Sequence, residues 1–338
     1  MTATDLRRFV QGVQRNCEIA NARHAHEATM CTYLLQMREL YHWERGLPLA
    51  EQPAREEVSR WLAEREAAWR ELEEDAYQAL ALGGRDHDPF DAEALNRELL
   101  AQGLVYGAGY GRFQRPHFFL AQLEADETRE GKRVLVAGRE HARDIAAIPA
   151  ALQGDAIFVR RDALRRWLWE KVEFWRARRP AGALAAALEC WGLAAGDDAA
   201  FERMVEAEIE TLILHELGEA RAGAALGGAW EDMLAGLEDR RVEILARAVR
   251  DNLADCLSTL PALLERDDRA SLHFWFSQLD GMRREIFPAL GRAYAAWRDS
   301  GRAAAMSDTI RAGAVHWERV AHGLLASRAG ADARAVAL

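Results

Sequence analysis

The stretch TLILHELGEARAG, residues 211–223, carries an imidazole and two carboxylates at spacings that suit a metal centre. His215 and Glu219 are four residues apart, so in a helix they lie close to one another on the same face. Glu216 lies about 100° around the helix from His215. We therefore interpret His215 and Glu219 as metal ligands and Glu216 as a base that takes a proton from metal-bound water.

The same stretch resembles the zinc-binding helix of metallopeptidases, whose pattern is His-Glu-x-x-His with a third ligand further along the chain. His215 and Glu216 match this pattern, whereas Glu219 stands where the second histidine belongs. The resemblance implies that Glu216 activates water. A carboxylate in place of an imidazole makes a harder donor set, which shifts the preference from zinc towards iron or manganese. We therefore expect a divalent metal ion, Zn, Fe or Mn, as the cofactor.

Further side chains are needed to complete a coordination sphere. Glu208 lies seven residues before His215, which returns it to almost the same direction around the helix. Glu243 borders the buried face predicted for a later helix, and His24 belongs to the first helix of the chain. We treat Glu208, Glu243 and His24 as candidate third ligands. Two more acidic residues precede Glu243 in the same segment: Glu238 and Asp239.

Apolar residues recur at helical spacing over most of the chain, in particular over residues 5–44, 54–82 and 201–225. The texture changes between residues 103 and 159, where PHFFLAQLE and KRVLVAG flank the polar run ADETREG. This pattern predicts an antiparallel hairpin. We predict a mainly α-helical fold with a single domain, 1–338, and a small β-containing insertion at 103–159.

Composition restricts the partners of the protein. A net charge of -10 and a pI of about 5.6 oppose broad binding to nucleic acid or to anionic membranes, which requires an excess of basic residues. No apolar run reaches the roughly 20 residues that span a bilayer, and the N-terminal residues lack the apolar core of a signal peptide. The four cysteines are scattered, as in proteins with reduced thiols. We expect a cytoplasmic protein that acts on a small-molecule or peptide substrate.

Three functions are compatible with these residues. The first is a metal-dependent hydrolase that attacks an amide or ester. The second is a non-haem iron or di-iron oxidoreductase in a helical bundle, which the spacing Glu39-x-x-His42 fits, although no second Glu-x-x-His stands on a matching helix. The third is a non-catalytic interaction protein, in which His215 is an ordinary core residue and the basic segment 160–179 meets an acidic partner.

As a whole, the chain resembles an uncharacterised bacterial family of helical proteins. The stretches that carry the resemblance are NARHA, YLLQMRE, HELGEA, RAVRDNLAD and FSQLDGMRREIFP, which run from about residue 21 to residue 288. The resemblance implies one shared architecture over most of the chain and brings no activity with it.

Overall fold

The protein is described by a computed structural model that covers residues 2–111, 114–193 and 198–327. The chain divides into two compact units, Met1–Trp169 and Glu170–Leu338. The sequence analysis predicts a single domain, because no linker between residues 160 and 180 stands out in the sequence. A helix, α5 (Arg161–Arg178), runs continuously across the boundary.

The first unit begins with two helices in series, where the periodicity of residues 5–44 predicts either one long helix or two. Helix α1 (Ala3–His24) begins with a capping box in which Thr2 and Asp5 satisfy each other's backbone amides. A 3-10 turn (Ala25–Glu27) then separates it from α2 (Met30–Arg45), which Thr29 caps. The chain continues into α3 (Arg55–Arg70).

The remaining elements of the first unit are mostly strands. After the short hairpin of β1 (Leu80–Leu82) and β2 (Arg85–His87) comes helix α4 (Ala92–Leu99). Five more strands follow: β3 (Leu104–Tyr110), β4 (Pro116–Arg129), β5 (Lys132–Arg143), β6 (Ala150–Gln153) and β7 (Ala156–Arg160).

The five later strands form one mixed sheet in the order β3-β4-β5-β7-β6. Strands β4 and β5 pair antiparallel around Gly131, which confirms the hairpin predicted from ADETREG. The prediction of only a small hairpin is wrong, because β3 and β7 extend the sheet on both sides and β7 pairs parallel to β5. The prediction of a mainly helical protein is confirmed.

The second unit is helical throughout the part that the structure describes. Its helices are α6 (Ala183–Trp191), α7 (Asp198–Leu226), α8 (Gly228–Ala235), α9 (Arg240–Ala254), α10 (Leu260–Glu265), α11 (Arg269–Gln278), α12 (Gly281–Ile286), α13 (Pro288–Ser300) and α14 (Ala304–Ser327). A π-helical segment (Asp255–Thr259) joins α9 to α10. Its core includes the fully buried Trp230 and Trp317.

Within the described residues, no helix is long and apolar enough to cross a membrane.

Candidate metal centre

Helix α7 brings His215 and Glu219 together. The residues before His215 are apolar, and Ile213 and Leu214 are buried, so this part of the helix is fixed by packing. One turn later on the same face, Glu219 places its Oε1 3.7 Å from His215 Nε2. The four-residue spacing of His215 and Glu219 therefore makes their side chains neighbours on the helix surface, as helix geometry requires.

Helix α9 and the π-helical segment supply the facing carboxylates. Asp255, the first residue of the π-helical segment, places its Oδ1 2.9 Å from His215 Nδ1. The hydroxyl of Thr259 donates to the same oxygen at 2.7 Å. Asp251 stands one turn earlier on α9 and faces the same group of side chains. A π-helical turn changes the direction of the side chains that follow it, and such turns are frequent at functional sites.

A glycine allows the two segments to lie this close together. At Gly218 an added Cβ would stand 2.3 Å from the carbonyl oxygen of Ala254 and 3.1 Å from the Cβ of Ser258. Any side chain at position 218 would therefore push α7 away from the end of α9. The glycine in HELGE thus sets the separation across which His215 reaches Asp255.

Three side chains offer ligand atoms to one point. One atom each of His215, Glu219 and Asp251 lies within 4.8 Å of the other two. Ligand atoms that share a zinc-sized ion at about 2.0–2.2 Å are roughly 3–4 Å apart, so small rotations would close the site around an ion. The side chains of His215 and Glu219 retain 22% and 16% of their exposure, which leaves an approach from solvent.

Two arginines neutralise part of the negative charge. Arg250 donates to Glu219 Oε1 at 2.7 Å and lies 3.7 Å from Asp251. Arg283 forms an ion pair with Oδ2 of Asp255 and lies over the ring of Trp275. Three carboxylates thus face two guanidinium groups, and this arrangement favours an additional positive charge among them.

That additional charge falls on His215. Burial by itself lowers the pKa of His215, but Asp255 and Glu219 outweigh burial and raise this pKa well above its ordinary value. Burial likewise opposes ionisation of Asp255, yet His215 and Arg283 lower its pKa to about 2. Burial and the charge of Glu219 raise the pKa of Asp251. The position next to His215 is therefore one at which a cation is electrostatically stabilised.

Glu216 occupies a different side of α7. It is buried, and its charge contributes to the raised pKa of Arg250. It does not belong to the three residues whose ligand atoms converge, in agreement with its direction around the helix. Arg250 contacts Glu219 and Asp251 directly and is also influenced by the charge of Glu216.

The other predicted ligands lie elsewhere. Glu208 faces the same direction as His215 but stands two turns earlier, about 10 Å along the helix axis. Glu243 accepts a hydrogen bond from Arg247 at 2.8 Å on the same helix. His24 belongs to the first unit, where its Nδ1 lies 2.8 Å from Glu27. Within the described residues of the second unit, Glu219 is the predicted ligand that lies beside His215.

Glu208 carries a separate, testable consequence of burial. Its side chain is 3% exposed and its Oε1 is without a hydrogen-bond partner among the described residues. Burial raises its pKa to about 8, despite the nearby Ser271 hydroxyl. In the folded state the carboxyl group of Glu208 therefore stays protonated up to about pH 8. In the unfolded chain, where the pKa of a glutamate is about 4.3, the same group has already lost its proton. Stability must fall as the pH rises between these two values.

We expect Glu208→Gln to remove that pH dependence. The free energy of unfolding of the variant should exceed that of the native chain by about 4–5 kcal/mol at pH 8 and should differ little from it at pH 4.5. Urea unfolding at both pH values measures this difference. The control is Glu210→Gln, two residues further along α7, where the carboxylate is more exposed and pairs with Arg266. An unchanged pH dependence in Glu208→Gln would contradict the assignment.

Sequence reasoning missed Asp251 and Asp255. Both stand in the stretch RAVRDNLAD, four residues apart, which is the same spacing as that of His215 and Glu219. Two acidic residues one turn apart on an otherwise apolar helix face were the available signal. The buried stripe predicted for this helix comprises Val242, Leu245, Val249 and Leu253; the last three are buried, whereas Val242 is half-buried.

Comparison with known proteins places both units in one family. A model described as "Family of unknown function (DUF6866) N-terminal domain" matches residues 8–160, and its C-terminal domain counterpart matches residues 165–337. The chain belongs to the DUF6866 family. The candidate metal ligands His215, Glu219 and Asp251 lie in the DUF6866 C-terminal domain, whereas His24 lies in the N-terminal domain. No curated protein and no solved structure matches the chain.

Proposed function

We propose that the C-terminal unit binds one divalent cation through His215 Nε2, Glu219 and Asp251. The observation that carries this proposal is the contact between His215 Nδ1 and Asp255 Oδ1 at 2.9 Å. A metal-binding histidine generally donates its other ring N–H to a carboxylate or carbonyl, which fixes the tautomer and directs the remaining nitrogen to the ion. Asp255 holds His215 in this way, and its Nε2 faces Glu219.

The donor set indicates which ions fit. One imidazole and two carboxylates form a harder site than the histidine-rich sets of most zinc peptidases, and such a set suits manganese or iron as well as zinc. Arg250 contacts Oε1 of Glu219, so the other carboxylate oxygen is the one that we assign to the ion. A bound cation would supply the positive charge that the proton on His215 supplies when no ion is bound.

We further propose that the site hydrolyses an amide or ester bond in a small-molecule or peptide substrate. A divalent cation lowers the pKa of water bound to it, which makes hydroxide available near neutral pH. Glu216 is the residue assigned to accept the proton, and Arg250 is positioned to hold negative charge beside the cation. The partial exposure of His215 and Glu219 provides the entrance for substrate.

An iron-dependent oxidoreductase is the second candidate. The position of the candidate ligands between helices favours it, since carboxylates and histidines that project from neighbouring helices are typical of non-haem iron proteins. The predicted Glu39 and His42 pair lies in the first unit, where Glu39 is 3.6 Å from Arg38. Two irons per chain with an optical absorption band would support this candidate, whereas a single colourless ion would support the hydrolase.

Metal analysis of purified variants tests the site. After incubation of the full chain with Mn²⁺, Fe²⁺ or Zn²⁺ and desalting, we expect about one bound ion in the native chain. His215→Ala, Glu219→Gln and Asp251→Asn should each weaken binding by more than about 100-fold, because each removes a ligand, whereas loss of an outer partner costs about 10–100-fold. Mass-spectrometric elemental analysis and titration with a competing chelator measure the loss.

Two controls separate ligand loss from general damage. Glu231→Gln removes an exposed carboxylate that lies 3.6 Å from Arg250 and should leave metal binding unchanged. Glu216→Gln should retain the ion and lose hydrolysis of a panel of activated esters and peptides. Full metal occupancy in all three ligand variants, each shown to be folded by circular dichroism, would reject the proposed centre.

A further inference from the structure

The first unit contains a cavity unrelated to the metal centre. It has a volume of about 440 Å³ and lies where the 3-10 turn and α2 face the end of α3. The polar and aromatic side chains that line it are His26, Tyr33, Glu66, Trp69, Arg70 and Glu73. A cavity of this size is within the range that holds small organic ligands.

The carboxylate of Glu66 is fixed in this cavity by one neighbour. The hydroxyl of Tyr33 donates to Glu66 Oε1 at 2.7 Å. Among the described residues, Glu66 forms no ion pair with a basic side chain within 4.0 Å. Glu66 therefore presents a negative charge that is oriented but not neutralised by a direct partner.

The other walls of the cavity are aromatic and apolar. The indole of Trp69 is buried, and its Nε1 is tied to Glu18, so its ring is held in place. Three alanines and Met30 complete the lining, and Met30 is 70% exposed at the opening. Aromatic rings next to an oriented carboxylate form the environment that binds organic cations, through cation–π attraction and a charge-assisted hydrogen bond.

We propose that this cavity binds an organic ammonium group attached to a flat apolar body. The ammonium donates to Glu66, and the apolar body packs against Trp69 and Met30. Glu73 and Arg70, both exposed, also line the cavity and carry opposite charges, so the oriented carboxylate of Glu66 decides its preference. The proposal is independent of the metal centre, because every residue that it uses belongs to the first unit.

Two probes of opposite charge test this class of ligand. Tryptamine and indole-3-propionate have the same ring and a similar side chain, and differ in their charged group. We expect tryptamine to bind the full chain at least tenfold more tightly than indole-3-propionate, as measured by titration calorimetry. Equal affinity for both probes, or no binding of either at millimolar concentration, would overturn the proposal.

Variants connect binding to the named carboxylate. Glu66→Gln should weaken tryptamine binding by about tenfold or more and abolish the preference over indole-3-propionate. Tyr33→Phe should have a smaller effect in the same direction, because it removes only the group that orients Glu66. Glu56→Gln removes an equal charge from the exposed start of the same helix and should change nothing. Equal losses in Glu66→Gln and Glu56→Gln would show that net charge, and not the cavity, determines binding.

Discussion

Asp255→Asn is expected to lower the free energy of unfolding by about 2–3 kcal/mol. Asp255 is 1% exposed and accepts hydrogen bonds from His215 and Thr259 while it pairs with Arg283. The asparagine keeps the volume but loses the charge, which leaves the guanidinium of Arg283 without its carboxylate. Removing one partner of a buried ion pair costs more than the pair contributes, because the remaining charge stays poorly solvated.

The same substitution should act on the proposed metal centre. Without the negative charge of Asp255, the pKa of His215 falls and its ring loses the acceptor that orients it. We expect metal affinity to decrease by about 10–100-fold, as it does when the partner of a metal-binding histidine is removed. The loss should be smaller than for His215→Ala, since all three ligands remain.

Urea unfolding and metal titration of the same preparations check both effects. Asp308→Asn is a matched control, because Asp308 and its partner Arg311 are both exposed and such pairs contribute less than about 1 kcal/mol. An Asp255→Asn protein as stable as Asp308→Asn would show that the Asp255 network is not buried in solution as the structure has it.

Helical periodicity predicted on which face of the helix the candidate ligands lie, but not how far apart they are along the helix axis. His215 and Glu219 are neighbours because four residues return to the same face after a rise of about 6 Å. Glu208 shares that face, and the sequence pattern ranked it with them, although the rise over seven residues separates it by about 10 Å. Azimuth alone therefore overestimates the number of ligands that a single helix can supply.

Tertiary contacts account for the part of the site that the sequence could not provide. Asp251 and Asp255 meet His215 only because α9 crosses α7 at Gly218, and no local pattern encodes that crossing. The π-helical segment that begins at Asp255 is also invisible to a period of 3.6 residues. Arg250 and Arg283 were not singled out in the sequence, and their pairing with the site's carboxylates depends on the same tertiary contacts.

The sheet of the first unit illustrates the same limit. The polar run before Gly131 identified β4 and β5, because a hairpin is a local structure with its own turn residues. Strand β7 has only five residues; besides its antiparallel neighbour β6 it pairs parallel to β5, and no local turn in the sequence encodes that parallel pairing. The helix expected over residues 54–82 ends at Arg70 instead, and Leu80–Leu82 forms strand β1.

Gly218→Ala should be among the most destabilising single-methyl changes in the second unit. The added Cβ would stand 2.3 Å from the backbone oxygen of Ala254, which cannot rotate away as a side chain could. Helix α7 must therefore shift from α9, at a cost of about 2–3 kcal/mol that exceeds the roughly 1 kcal/mol gained by replacing glycine with alanine in a helix. The shift would also separate His215 from Asp255 and Asp251.

Gly223→Ala supplies the comparison within the same helix. An added Cβ at Gly223 has no neighbour within 4 Å, so only the gain in helix propensity remains, and stability should rise by about 0.5–1 kcal/mol. Denaturant unfolding of the two variants should thus give changes of opposite sign for the same chemical substitution on one helix. If both variants gain stability, α7 and α9 do not approach closely at Gly218. The contacts between the two helices that bring together the ligands of the proposed metal centre would then be absent as well.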